Sequence, residues 1–194
     1  MITLSGDTGI SGTSNAVITG NVLSGPKLNP VNSVPGSVIQ VVQTVMSNTF
    51  FMSGVTFTEV TPLTTAITPL FSNSKILVLL DVKAGMQSYL FRGKLLRNGG
   101  GIALGDANGT RPLGSISLNA YSSGQEAYNV LSGVTQFLDS PATTSPCVYS
   151  FQIACHDPSV QAFINRSYYW QDSNDGVSYD SVMTSSMTLM EIRQ

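Results

Sequence analysis

Charge is what this chain has least of. Only 10% of its 194 residues are Asp, Glu, Lys or Arg, nine basic against eleven acidic, for a net charge of −2. An average soluble domain carries about 25%. Without a basic stripe the chain lacks the electrostatic term that dominates nucleic-acid affinity, so no DNA or RNA partner is expected. Disorder needs low hydrophobicity together with high net charge; here 42% of residues are hydrophobic, and the bulk of the chain should fold. Long apolar runs are missing as well. The longest, Ile76 to Leu80, falls far short of the roughly 20 residues that span a bilayer, so no membrane association is expected. The start, Met1-Ile2-Thr3-Leu4-Ser5, has neither a basic segment nor an apolar core, and a secretory signal is not expected.

Reactive side chains are equally scarce. Cys147 and Cys155 are the only cysteines and His156 the only histidine. On one extended strand the two cysteines would stand about 26 Å apart, which excludes a bridge between them. Two buried thiols on one face is the plainer reading, and a disulfide-free chain suits assembly in a reducing cytoplasm. Cys155 and His156 could pair as thiolate and base, but neighbours on a strand point to opposite faces. His156-Asp157-Pro158 reads instead as a strand end entering a turn. One histidine and two cysteines also make no zinc-type ligand set, so neither catalytic residues, metal nor cofactor are expected.

Glycine, serine and threonine fill the space that charge leaves. Six of the 18 glycines fall in residues 1–36, where Asp7 and Lys27 are the only charges. Pro26, Pro30 and Pro35 then punctuate "GPKLNPVNSVPG", favouring an extended, semi-rigid path. The division is an arm (1–25), a connector (26–36) and a domain (37–194). Within the arm, Ile2, Leu4, Ile10, Val17, Ile18, Val22 and Leu23 alternate with Gly-Asp and Gly-Asn turn signals. Such a segment cannot by itself offset an ordering entropy of about 1–2 kcal/mol per residue. Buried against sister arms or a partner groove, each apolar side chain would contribute roughly 1.5–3 kcal/mol. These seven residues are the expected attachment surface.

From residue 37 onward, short β-branched and aromatic runs alternate with turn clusters: 37–45, 54–60, 64–68, 75–85, 89–97, 101–105, 114–121, 127–138, 147–155, 160–170 and 186–192. Cys147, Tyr149, Phe151, Ile153 and Cys155 share one face by strict alternation. "KILVLLDVKAG" (75–85) is apolar on both faces at its start, as in a central strand or one whose outer face meets another subunit. No segment sustains a capped helical period. The expectation is an all-β fold, an antiparallel β-sandwich or jelly roll, preceded by the extended arm.

Three loops invite chemistry. "NGGGIALG" (98–105) resembles a phosphate-binding loop, but it joins two strand-like runs and opens no helix, so a hairpin turn at Asn98-Gly99-Gly100 is expected. "DSNDGVSYD" (172–180) clusters Asp172, Asp175 and Asp180 without the spacing of a calcium loop. Asn108-Gly109-Thr110 and Asn165-Arg166-Ser167 fit a glycosylation sequon, which matters only in a eukaryotic secretory route. "NRSYYWQD" (165–172) holds the only Trp. If its strand alternates, Arg166, Tyr168 and Trp170 share a face and could contact a ligand such as a sugar; core packing or a subunit interface is the competing explanation.

With arm, connector and strands laid out, several phrases resemble virion surface proteins of tailed bacteriophages. They are the opening "ITLSGDTGI…VITGNVLSG", the domain start "PGSVIQVVQTV" followed by "TPLTTAITPLFSNSKILVLLDVKAG", and the ending "AFINRSYYWQDSNDGVSYDSVMTSSMTLMEIRQ". The resemblance implies a homotrimer displayed on the virion surface and assembled in the host cytoplasm. A β-sandwich knob would be held to capsid or tail proteins by the N-terminal arm, as in a short head or tail fibre or a capsid-decorating protein. It implies no catalytic residue, so the chain is not expected to be an enzyme. The alternative is a host-receptor or carbohydrate-binding module of a tail appendage, meeting a host surface glycan.

Overall fold

A computed structural model of the chain describes residues 33–86, 89–120, 128–169 and 181–194. The arm residues Ile2, Leu4, Ile10, Val17, Ile18, Val22 and Leu23, together with Trp170 and the 172–180 loop, lie outside the described residues. Among those described the architecture is all-β, with twelve strands: β1 (Val38–Met46), β2 (Phe50–Ser53), β3 (Thr58–Glu59), β4 (Thr65–Ile67), β5 (Lys75–Met86), β6 (Tyr89–Arg97), β7 (Gly100–Ile102), β8 (Ile116–Ala120), β9 (Leu131–Asp139), β10 (Cys147–Cys155), β11 (Gln161–Ile164) and β12 (Ser185–Ile192).

They form two antiparallel sheets. The first runs β1, β12, β5, β9, with β2 and β11 continuing the lines of β1 and β12 at one end. In the second, β10 and β6 are central; β3 and β4 flank β10, and β7 and β8 flank β6. The chain crosses from sheet to sheet so that its first and last strands pair, which is the connectivity of a jelly roll. The sheets close along both edges, where β8 approaches β9 and β4 approaches β1.

Alternation sends Ile76, Val78, Leu80 and Val82 of β5, and Met187 and Leu189 of β12, into the core. There they meet Phe91 and Leu95 of β6 and Tyr149, Phe151 and Ile153 of β10. Both cysteines are free and buried on that inner face of β10, as the alternation requires. Space for the Phe151 ring comes from Gly93, where a Cβ would lie 2.3 Å from Phe151 Cζ. Within this sheet a single methyl group at position 93 would have no room.

Two polar devices hold the layers. Asp139, at the end of β9 in the first sheet, receives both Arg97 (2.6 and 2.7 Å) and the Tyr149 hydroxyl (2.7 Å) from the second. The Asp139 hydrogen bond raises the Arg97 pKa, while burial and that same carboxylate raise the Tyr149 pKa, so the phenol stays protonated. At the opposite end, Asn165 fills the break between β1 and β2. Its side-chain amide donates to the carbonyls of Met46 (2.8 Å) and Asn48 (2.9 Å), and its oxygen accepts from Ser185 (2.6 Å). Its φ of 67° ends β11. A fully buried Asn with those bonds cannot serve as a glycosylation acceptor in the folded chain.

Candidate functional surfaces

The sequence placed Arg166, Tyr168 and Trp170 on one strand face. β11 stops at Ile164, however, so Arg166 and Tyr168 lie past the strand; Trp170 is outside the described residues. Arg166 is 7% exposed, its guanidinium 4.0 Å from the centre of the Phe163 ring. Tyr168 is half-buried, with its ring 5.8 Å from that same ring. Both side chains therefore gather round Phe163, which also touches Phe51 at 5.1 Å. The Arg166 carbonyl crosses so close to β5 that a Cβ on Gly85 would meet it at 2.5 Å. The 165–169 segment lies over one end of the first sheet, and Arg166 works there as packing.

The His156 region is a turn, as its sequence indicated. Asp157 Oδ1 accepts from the Ser159 amide (2.8 Å) and hydroxyl (2.6 Å), which hold its carboxyl below the usual range. Cys155 faces the core, 3.6 Å from Met52 Sδ, and burial pushes its thiol up to about 11. A thiol so disposed is a poor nucleophile. The glycine run is a hairpin turn: Asn98 (φ 50°) and Gly99 (φ 79°) form a two-residue left-handed link between β6 and β7. Asn98 further accepts from the Val148 amide at 2.8 Å. Among the described residues no three His, Cys, Asp or Glu side chains gather as a metal site would need.

The outer face of the first sheet is the larger surprise of composition. Register places Leu138, Leu77, Met190 and Val41 in one row across four strands. Two residues along, the next row is Gln136, Leu79, Thr188 and Gln43, and four residues along a third brings Val134, Asp81, Ser186 and Val45 together. Val41 and Val45 are 56% exposed, Val134 68% and Leu138 49%. Singly exposed apolar residues are ordinary; an apolar row that crosses all four strands, as Leu138, Leu77, Met190 and Val41 do, is not. The ionic groups on this band neutralise each other, since Lys83 Nζ lies 2.5 Å from Asp81 and 2.6 Å from the Ser132 hydroxyl. Sequence had singled out the two-faced run 76–80 as central or subunit-facing. β5 is indeed flanked on both edges, and its outer residues Leu77 and Leu79 sit mid-band. The contributions of β1 and β9 were not foreseen.

Neither a protein-family model nor a curated protein matches the chain. Its fold class therefore rests on the topology, and any role must be argued from these surfaces.

Proposed function

We propose that the chain is a structural protein of a tailed-phage virion surface, a homotrimer of jelly-roll knobs attached to capsid or tail by residues 1–25. One observation carries the reading: on the outer face of the β1–β12–β5–β9 sheet an apolar row of Val41, Met190, Leu77 and Leu138 crosses every strand, with Val45 and Val134 exposed nearby and Asp81 paired to Lys83. A surface of this kind gains most by burial against another low-charge surface, and the copy always at hand is a second chain. The number three and the virion setting come from the resemblance of the arm, the domain start and the ending to phage surface proteins.

Light scattering of the full chain at micromolar concentration should give three times the 20.6 kDa chain mass. The double variant Val41→Glu, Leu138→Glu should give a folded monomer, because charge on the band opposes its burial. A wild-type monomer would sink the proposal. For attachment, a chain lacking residues 1–25 should stay folded yet fail to co-sediment with particles deprived of the native copy. Binding at wild-type occupancy would remove the arm as anchor.

A further inference from the structure

The outer face of the second sheet carries a different feature, an open cavity of about 510 Å³. Its floor is β6 and β8: Leu90 and Arg92 point outward from β6, and Ser117 lies across the ladder from Arg92. One wall is the turn after β10, where the His156 amide donates to the Leu90 carbonyl at 3.2 Å. The other wall is the 103–115 loop between β7 and β8, which brings Arg111 and Pro112 over the strands. That loop is tied down at its return by the Ser115 amide, which donates to the Gly93 carbonyl (2.8 Å).

Basic groups gather in this cavity without an acid among them. Two arginines and the only histidine line it, and none of the lining residues is acidic. Arg92 makes one hydrogen bond among the described residues, from Nη2 to the Cys155 carbonyl (3.0 Å), and its Nε is enclosed without a partner. A guanidinium has five N–H donors, so most of its capacity is unused. Arg111 is exposed, its amide donates to the Asn108 carbonyl, and its side chain makes no hydrogen bond or ion pair among the described residues. By contrast Arg97 and Lys83 are both ion-paired within the fold. Two guanidinium groups without an acid partner, lining one cavity beside an apolar wall of Leu90 and Pro112, suit an oxyanion carried on a small partly apolar body.

We propose that this cavity binds a small ligand through a carboxylate or phosphate group, with Arg92 and Arg111 as the anion contacts. A cavity of this size has room for more than the anion itself; an acidic sugar unit is one body of suitable dimensions. The inference is independent of the trimer, since it concerns the other sheet.

Calorimetric titration of the full chain distinguishes the sources of the anion. Glucuronate, inorganic phosphate and neutral glucose are the three probes. Binding of glucuronate alone would assign a carboxylate ligand, binding of phosphate alone a phosphate ligand, and binding of both an oxyanion site of broad tolerance. In each case Arg111→Gln should weaken binding at least about tenfold. It should leave the unfolding midpoint unchanged, because that side chain holds nothing in the fold. Arg92→Gln should weaken binding as much or more, while Lys94→Gln, an equal charge change outside the cavity, should not. Failure of both anions to bind at millimolar concentration, equal binding of glucose, or an equal loss in Lys94→Gln would overturn the proposal.

Discussion

The two sheets have the same inner face and opposite outer faces. Inward, each presents an unbroken apolar set, Ile76 to Val82 on one side and Phe91, Tyr149 and Phe151 on the other. Outward, the first sheet shows valines and leucines whose neighbouring charges cancel, and the second shows two arginines whose charges do not. Inner faces must match because they pack on each other, so they report only the fold. Outer faces are free to differ. On that difference rest our two proposals, protein contact on one side and small-anion contact on the other. In a chain with so few charges, where the unpaired ones stand is the most informative datum.

The most damaging way to test this division is to cut what the two sides share. Asp139→Ala should destabilise the chain by about 3 kcal/mol, since it leaves Arg97 without its carboxylate and the buried Tyr149 hydroxyl without an acceptor. Urea unfolding would measure it. Both functions should fail together as the sheets loosen, and loss of only one would show that the faces do not depend on a common sandwich.

A smaller effect probes the core beneath the second face. An unfolded Cys155 thiol ionises near 9.0, whereas the folded one holds its proton up to about 11. Between those values the unfolded state binds fewer protons, so stability falls as pH rises. The loss reaches about 2–3 kcal/mol by the upper limit. Below pH 9 the term is flat. Unfolding of the wild type and of Cys155→Ala should therefore run parallel up to pH 9 and converge above it; equal slopes throughout would refute the buried-thiol account.

How much of this was legible beforehand follows from range in sequence. β1, β5, β6, β10 and β12 were readable because their alternation is local. The 54–60 run was not a single strand: Gly54 adopts φ 96°, and the strand lies before it, at Phe50–Ser53, with only Thr58–Glu59 after. The 160–170 run broke for a similar reason, Asn165 taking a left-handed conformation fixed by three side-chain hydrogen bonds. Sequence propensity does not see a backbone held by tertiary bonds. The anion cavity was beyond reach altogether. Arg92, Arg111 and His156 come from a strand, a loop and a turn, and only the pairing of β6 with both β8 and β10 brings them together.

The β6–β7 hairpin, at the end of β6 away from that cavity, offers a test confined to the second sheet. Gly99 has φ 79°, and Ala there is strained, so Gly99→Ala should cost about 1 kcal/mol. Because β7 leads into the loop that carries Arg111, anion binding should weaken while self-association does not. Calorimetry and light scattering on one preparation would read both.

The smallest expected change in folding stability comes from the Asp81–Lys83 pair on the apolar band. Its side chains are 41% and 25% exposed, so in the isolated chain the pair contributes less than about 1 kcal/mol, screened by solvent. Asp81→Asn should thus leave the unfolding midpoint of dilute monomer nearly untouched. Within an assembly the consequence differs. Burying the band would carry an unpaired Lys83 ammonium out of water, with Ser132 as its remaining short contact, and desolvated charges without a partner are strongly disfavoured. Dissociation should therefore shift to at least about tenfold higher protein concentration. The concentration dependence of the melting temperature expected of the wild type should shrink accordingly. Lys83→Met, which removes the remaining charge and keeps most of the chain's volume, should restore association when added to Asp81→Asn. If neither variant moves the dissociation midpoint, the band faces water in the assembled protein. The contrast between the two outer faces would then no longer separate partner contact from ligand contact.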